Sequence, residues 1–145
     1  MMINALMCLA GAIYFEARGE PIDGQIAVAE VVMNRVEDRR FPDTVCGVVK
    51  QNRYPGVLHR CQFSFYCNGQ PETVTDWGAW HRSKEIAEGV LDGLITLGVP
   101  ATHYHADTVD PFWSEYYTPL GQIGNHVFYY AGDLYLTHRL RGRIL

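Results

Sequence analysis

The residues Tyr14-Phe15-Glu16-Ala17-Arg18-Gly19-Glu20-Pro21 place an acid at the tail of an apolar helix, immediately before a glycine and a proline that break it. Ala5, Leu6, Leu9, Ala12, Ile13 and Ala17 supply the apolar faces of that helix. A carboxyl beside aromatic neighbours at such a place loses water, which favours its protonated form and raises its pKa. A raised carboxyl pKa is what a general acid working near neutral pH requires. A surface glutamate at a helix end is the plain alternative for Glu16, and the rest of the chain has to separate the two.

Further polar residues in unexpected places fall into three other segments: Gln62-Phe63-Ser64; Thr102-His103-Tyr104-His105-Ala106; and Trp113-Ser114 followed by Gly121 to Tyr129, which includes His126. Gln62, Ser64 and Tyr104 have the groups to hydrogen-bond a polar substrate or the second oxygen of a catalytic carboxyl. Trp113 has the flat face that packs on a pyranose. Each also has a structural reading, because buried Tyr and Trp find partners in any fold. Glu20 follows Glu16 by four residues, a neighbour on one helix face only if the helix continued. Gly19 and Pro21 interrupt it, so Glu20 is expected to bond backbone amides at the start of the next helix. Arg18 is expected to pair with Glu20, with an anionic substrate group as the other choice.

The elements that must carry these residues are mostly helical. Helix one is predicted over Ile3–Arg18, with Gly19 as its C′ residue. Helix two is predicted over Ile22–Asp38, with Pro21 in its first turn. Ile22, Ile26, Ala29, Met33 and Val36 recur there at helical spacing, and so broad an apolar surface marks this helix as central. Asn34 and Arg35 stand out near its end as residues facing a site. A short helix over Thr44–Lys50 follows the turn at Phe41-Pro42-Asp43. Asn52–Arg60 reads as a loop, Cys61–Cys67 as strand-like or irregular, and Asn68-Gly69-Gln70-Pro71 as a turn. A long helix is predicted over Trp77–Leu97, ended by Gly98-Val99-Pro100. Pro111–Pro119 reads as an aromatic loop. Thr102–Ala106 and Val127–Ala131 suit two short strands, paired as an antiparallel hairpin.

Composition bounds the class. At 145 residues, 48% apolar and 19% charged, the chain fits one globular domain, residues 1–145. Three Trp, nine Tyr and six Phe form a large aromatic set, suited to a core and to a sugar groove. The net charge of −4 and the lack of a basic stripe exclude a nucleic-acid footprint. The only basic cluster, His138–Arg143, reads as a solvated tail. No apolar run reaches the ~20 residues of a membrane span. The stretch from Met2 to Ile13 lacks a positive n-region and runs into the Glu16 motif, so it reads as the first helix of the mature fold rather than a leader.

Four cysteines allow three full pairings. Cys61 and Cys67 flank an aromatic segment that they could staple. Cys46 lies in a helix-like stretch, and Cys8 is expected to be a buried thiol. There is no CxxC to suggest structural zinc. A disulfide at Cys61 or Cys67 would place the protein in an oxidising compartment such as the periplasm.

The ordered segments EARGEP, GQIAVAEVVMNRV, FPDTVCGVV, CQFSF, ATHYHA and IGNHVFY, spread over about 9–130, resemble the SleB-like (spore cortex-lytic) cell wall hydrolase family. The resemblance implies an α+β, mainly helical domain with a lysozyme-like, lytic-transglycosylase-like core. It implies cleavage of peptidoglycan glycan strands between N-acetylmuramic acid and N-acetylglucosamine, without a cofactor or metal, by a monomer. It carries the catalytic glutamate onto Glu16. Gln62, Phe63, Ser64, His103, Tyr104, Trp113, His126 and Glu20 are the accompanying candidates for binding substrate. A bare catalytic domain of this kind suits a phage endolysin, held in the cytoplasm until a holin pore releases it to the wall in the periplasm. Spore members carry a peptidoglycan-binding domain at their N-terminus, and ordinary peptidoglycan is the expected substrate here. Two other functions remain open at this point. His103, His105 and His126 could bind zinc with Glu16 as base, making an amidase. A non-catalytic peptidoglycan-binding module is the third possibility.

Overall fold

The computed structural model describes residues 4–52, 62–69 and 71–132. The loop expected at Asn52–Arg60 beyond Asn52, Cys61, Gln70 and the basic cluster His138–Arg143 lie outside the described residues. Four α-helices come first: α1 (Ala5–Ala17), α2 (Ile22–Val36), α3 (Val45–Val49) and α4 (Trp77–Leu91). Three strands follow: β1 (His103–Ala106), β2 (Thr118–Ile123) and β3 (His126–Tyr130). Two 3-10 turns, Ser64–Cys67 and Phe112–Glu115, stand between them.

α1 is the helix at the centre. Every residue from Cys8 to Tyr14 is buried, and α2, α3 and α4 all pack on it. A helix that is apolar all round has to be enclosed in this way. The sequence pattern assigned the central place to α2, which is also deeply buried but leaves Ile22 48% exposed at its first turn. Caps of the expected chemistry start three helices. The side chains of Asn4, Thr44 and Asp76 accept from Met7 N, Gly47 N and Ala79 N. α1 ends without a left-handed glycine: Gly19 is not among the positive-φ residues, and Glu20 N bonds Ala17 O at 2.9 Å instead.

α4 stops six residues before the predicted Leu97. Gly93 adopts φ 75, and the amides of Gly93 and Leu94 turn back to Val90 O and Gly89 O. This reversed pair of bonds is a Schellman end. Ile95 then folds over Gly89, so closely that a Cβ there would lie 2.3 Å from Ile95 Cδ1. Leu94, inside the predicted helix, is 83% exposed beyond the observed helix end.

The sheet has three strands rather than one hairpin, in the order β1-β3-β2. β1 and β3 are antiparallel as expected, with His103 opposite Tyr129 and Ala106 opposite His126. The hairpin partner of β3 is the unforeseen β2, through a two-residue Gly124-Asn125 turn. Pro119 and Gly121 masked β2 in the sequence. Both are tolerated because β2 is an edge strand with an irregularity between Pro119 and Gly121.

The cysteine expectation at Cys8 is corrected: Cys8 on α1 is disulfide-bonded to Cys46 on α3, with Cα atoms 5.3 Å apart. The contact joins two apolar helices, and nothing local in either stretch signals it. Cys67 is also disulfide-bonded.

Candidate active site

Glu16 lies in the last turn of α1, half-buried. Its neighbours are aromatic. Phe15 stacks on Phe65 at 5.0 Å, which presses the 63–67 segment onto α1. Tyr14 meets Phe15 and Trp80 edge-on at 4.9 and 5.7 Å. Among the described residues the Glu16 carboxyl makes no hydrogen bond or ion pair that would hold its charge. Burial raises its pKa from 4.5 to about 7. The negative end of the α1 dipole lies nearby and acts in the same direction.

Tyr14 anchors the helix that bears this acid. Its hydroxyl accepts from Thr75 N and Asp76 N at 3.1 and 3.0 Å and from the Arg18 guanidinium. Burial opposes ionisation of this phenol, yet the two backbone donors and Arg18 leave its pKa lowered. Arg18 therefore serves Tyr14, its guanidinium 4.7 Å from the ring, and the expected Arg18–Glu20 pair is not formed among the described residues. Glu20 is structural, but its partner differs from the one expected. Its carboxylate accepts from Asn125 N at 2.8 Å and Asn125 Nδ2 at 3.3 Å. It thereby clasps the β2–β3 turn rather than the start of α2.

The sheet divides the remaining candidates. Successive strand residues point to opposite faces. Tyr104 and His126 lie on the inner face with Phe128, their rings 4.9 Å apart. Tyr104 senses Glu16: burial first, then the Glu16 charge, lifts its pKa well above 10.0, while Arg35 opposes. It remains a neutral phenol. His126 is 8% exposed with Nδ1 unpartnered among the described residues. Burial lowers its pKa, against the pull of Glu20 and Asp107, so it is a neutral imidazole.

His103 and His105 occupy the outer face with Trp113, at ring distances of 5.3 and 5.6 Å. His105 is fully engaged: Nδ1 donates to Ala106 O at 2.7 Å, and Nε2 faces Tyr129 OH at 2.9 Å. A zinc site built from His103, His105 and His126 is thus overturned by strand geometry, since the third histidine points away from the other two. Phe63 is corrected as well. It is 2% exposed and sits 5.6 Å from the Arg35 guanidinium in the core, out of a ligand's reach. Ser64 and Gln62 are exposed on either side of it.

Asn34 and Arg35 face backbone rather than ligand. Asn34 Nδ2 donates to Val99 O and Ala101 O, and Arg35 Nε donates to Thr102 O at 2.7 Å. Glu30, which the pattern did not single out, completes the row by accepting from Leu97 N, Gly98 N and Thr96 Oγ1. Together they hold the segment that delivers Tyr104. The sequence reading also passed over Arg40, Phe112 and Tyr117. With Gln62, His103 and Trp113 they line an outer cleft of about 410 Å³. The spacing of Trp113 and Tyr117, whose rings stack at 5.4 Å, was the signal for it.

The sequence profile described as Cell Wall Hydrolase matches residues 19–129. This chain belongs to the cell wall hydrolase family. Glu16 lies just outside the matched segment. The spore cortex-lytic enzyme of Oceanobacillus iheyensis is 35% identical over 125 residues, which are 86% of this chain and 41% of that protein. That of Bacillus cereus is 30% identical over 86% of this chain and 44% of its own length. The chain thus spans about two fifths of these relatives. The catalytic domain of the germination-specific lytic transglycosylase SleB from Bacillus anthracis superposes with a TM-score of 0.64 at 30% identity, covering 87% of this chain and 93% of that domain. The Bacillus cereus SleB catalytic domain gives 0.64 at 31% identity, over 87% of this chain and 89% of that domain. The helices and the small antiparallel sheet are the SleB catalytic-domain fold.

Proposed function

We propose that this chain cleaves the glycosidic bond between N-acetylmuramic acid and N-acetylglucosamine in peptidoglycan by a lytic transglycosylase route, with Glu16 as its acid and base. The observation that carries this reading is the solitary Glu16 carboxyl, pushed by burial to about 7. A hydrolase that relies on paired carboxylates needs a second one across the scissile bond. Glu20, the acid next along the chain, is taken up by Asn125. One acid suffices for transglycosylation. Glu16 gives its proton to the bridging oxygen, and the C1–O bond of the muramoyl residue breaks. The C6 hydroxyl of that residue bonds to C1, and the Glu16 carboxylate takes the proton the hydroxyl releases. The products are an anhydromuramoyl end and a new N-acetylglucosamine end, with Glu16 restored. The SleB domain likeness supports this chemistry. Tyr104, on the same side of the sheet, supplies a neutral hydroxyl near the carboxyl.

The disulfides at Cys8–Cys46 and Cys67 support action at the wall in an oxidising compartment, the periplasm. Delivery as a phage endolysin is part of the same proposal, and the genes beside this one test it.

Digestion of purified sacculi followed by mass spectrometry tests the activity. The wild type is expected to release anhydro-muropeptides with chelator present. Glu16→Gln keeps size and hydrogen bonding without the transferable proton, and is expected to lose at least ~100-fold in rate. Normal cleavage by Glu16→Gln, or binding of sacculi without soluble products from the wild type, would overturn the proposal.

A further inference from the structure

The outer cleft opens against the outer face of the sheet, where His103 meets Trp113. His103 lines the cleft, whereas its neighbour Tyr104 points to the inner face and senses Glu16. Its other walls come from Arg40 and Phe41 after α2, from Gln62, and from the 3-10 turn carrying Phe112 and Trp113 with Tyr117 beyond it. Phe112 is 81% exposed, an unusual position for a large apolar ring. Trp113 is half-buried against Tyr117, at 5.4 Å. The side-chain amide of Gln62 has no hydrogen-bond partner among the described residues.

Aromatic rings interleaved with a neutral amide suit a ligand that is apolar on its faces and rich in hydroxyl and acetamido groups at its edges. That is an N-acetylhexosamine. A volume near 410 Å³ is within the range of small-ligand sites. The Arg40 guanidinium is bound to Asp38 at 2.6 Å, so among the described residues the cleft offers no spare positive charge to a peptide rich in carboxylates. β1 is an edge strand, and a glycan can therefore pass over it from one face of the sheet to the other.

We propose that this cleft is a second glycan-binding site, which grips the N-acetylated sugar strand away from the bond that is cut. The proposal rests on peptidoglycan being the substrate. It is tested by NMR titration of the isotope-labelled Glu16→Gln protein with the tetramer of N-acetylglucosamine. The Trp113 indole N–H and the Gln62 side-chain amide are expected to shift saturably. Phe112→Ala combined with Gln62→Ala is expected to weaken that binding about 5-fold or more, the scale of one lost aromatic contact. Both residues are exposed, and spectral dispersion reports that the variant remains folded. Absence of shifts at these two groups, shifts confined to the Glu16 side, or shifts produced by a free stem peptide and not by the tetramer would each overturn the site. If the wild type fails to cut sacculi while the shifts persist, the activity falls and the site stands. If cutting persists without the shifts, the reverse holds.

Discussion

Burial acts on Glu16 in two measurable ways. The proton must be present at the start of each turnover, so the rate is expected to fall as pH rises past about 7. A rate still climbing above that pH would contradict the acid role. Stability follows the same group. The folded protein keeps a proton between pH 4.5 and about 7 that the unfolded chain has shed. The Glu16 contribution is therefore most favourable below the unfolded value and is lost as pH rises through the folded one. The whole loss is about 3 kcal/mol. Glu16→Gln is expected to be more stable than the parent in alkaline buffer, and the gap is expected to close in acid. Urea unfolding at both ends of the range checks this. The desolvation of Glu16 was legible in the sequence, because an aromatic-flanked glutamate before Gly19 needs only local pattern. The split between inner and outer candidates was not. It depends on which way each β1 residue points once β3 has fixed the register.

At the scale of elements, helix types were readable from periodicity, whereas the caps at Asn4, Thr44 and Asp76 went unread. The end of α4 was not, since the Schellman turn at Gly93 interrupts a pattern that Leu94 and Ile95 continue. β2 was hidden by Pro119 and Gly121, although Gly124-Asn125 marked its turn. Glu30 escaped notice because its role lies in backbone amides on a distant segment. Its removal takes the acceptor from Leu97 N and Thr96 Oγ1, so Glu30→Ala is expected to cost about 2–3 kcal/mol, as for hydrogen bonds to a charged group. Thermal melting measures it, and an unchanged midpoint would mean the 96–98 segment finds other partners. Gly124 adopts φ 57, and a Cβ there would come within 2.5 Å of Glu20 Oε1. Gly124→Ala is accordingly expected to loosen the Glu20–Asn125 clasp and lower the melting point.

For the whole molecule, the single domain and its helical weighting followed from composition and apolar pattern. The cross-link between α1 and α3 did not, because both cysteines lie in stretches whose apolar character explains them without a bond. Cys8 and Cys46 are 38 residues apart in sequence, and closing a loop of that size contributes about 2–4 kcal/mol. Replacing both cysteines by alanine is expected to lower the melting point by about 5–15 °C for a domain of this size. A shift of a degree or less would show that α1 is held by packing alone.

The acid sits on the first helix, whereas Tyr104, its companion across the interior, belongs to a strand laid down past residue 100. A ribosome-bound chain therefore exposes Glu16 long before the sheet can dock. Until then the carboxyl titrates like any other acid in water and is ionised at cellular pH, with no proton to lend. With Glu16 as the proposed acid, the nascent polypeptide is expected to be inert, and to become competent only once its C-terminal third has closed over the first helix.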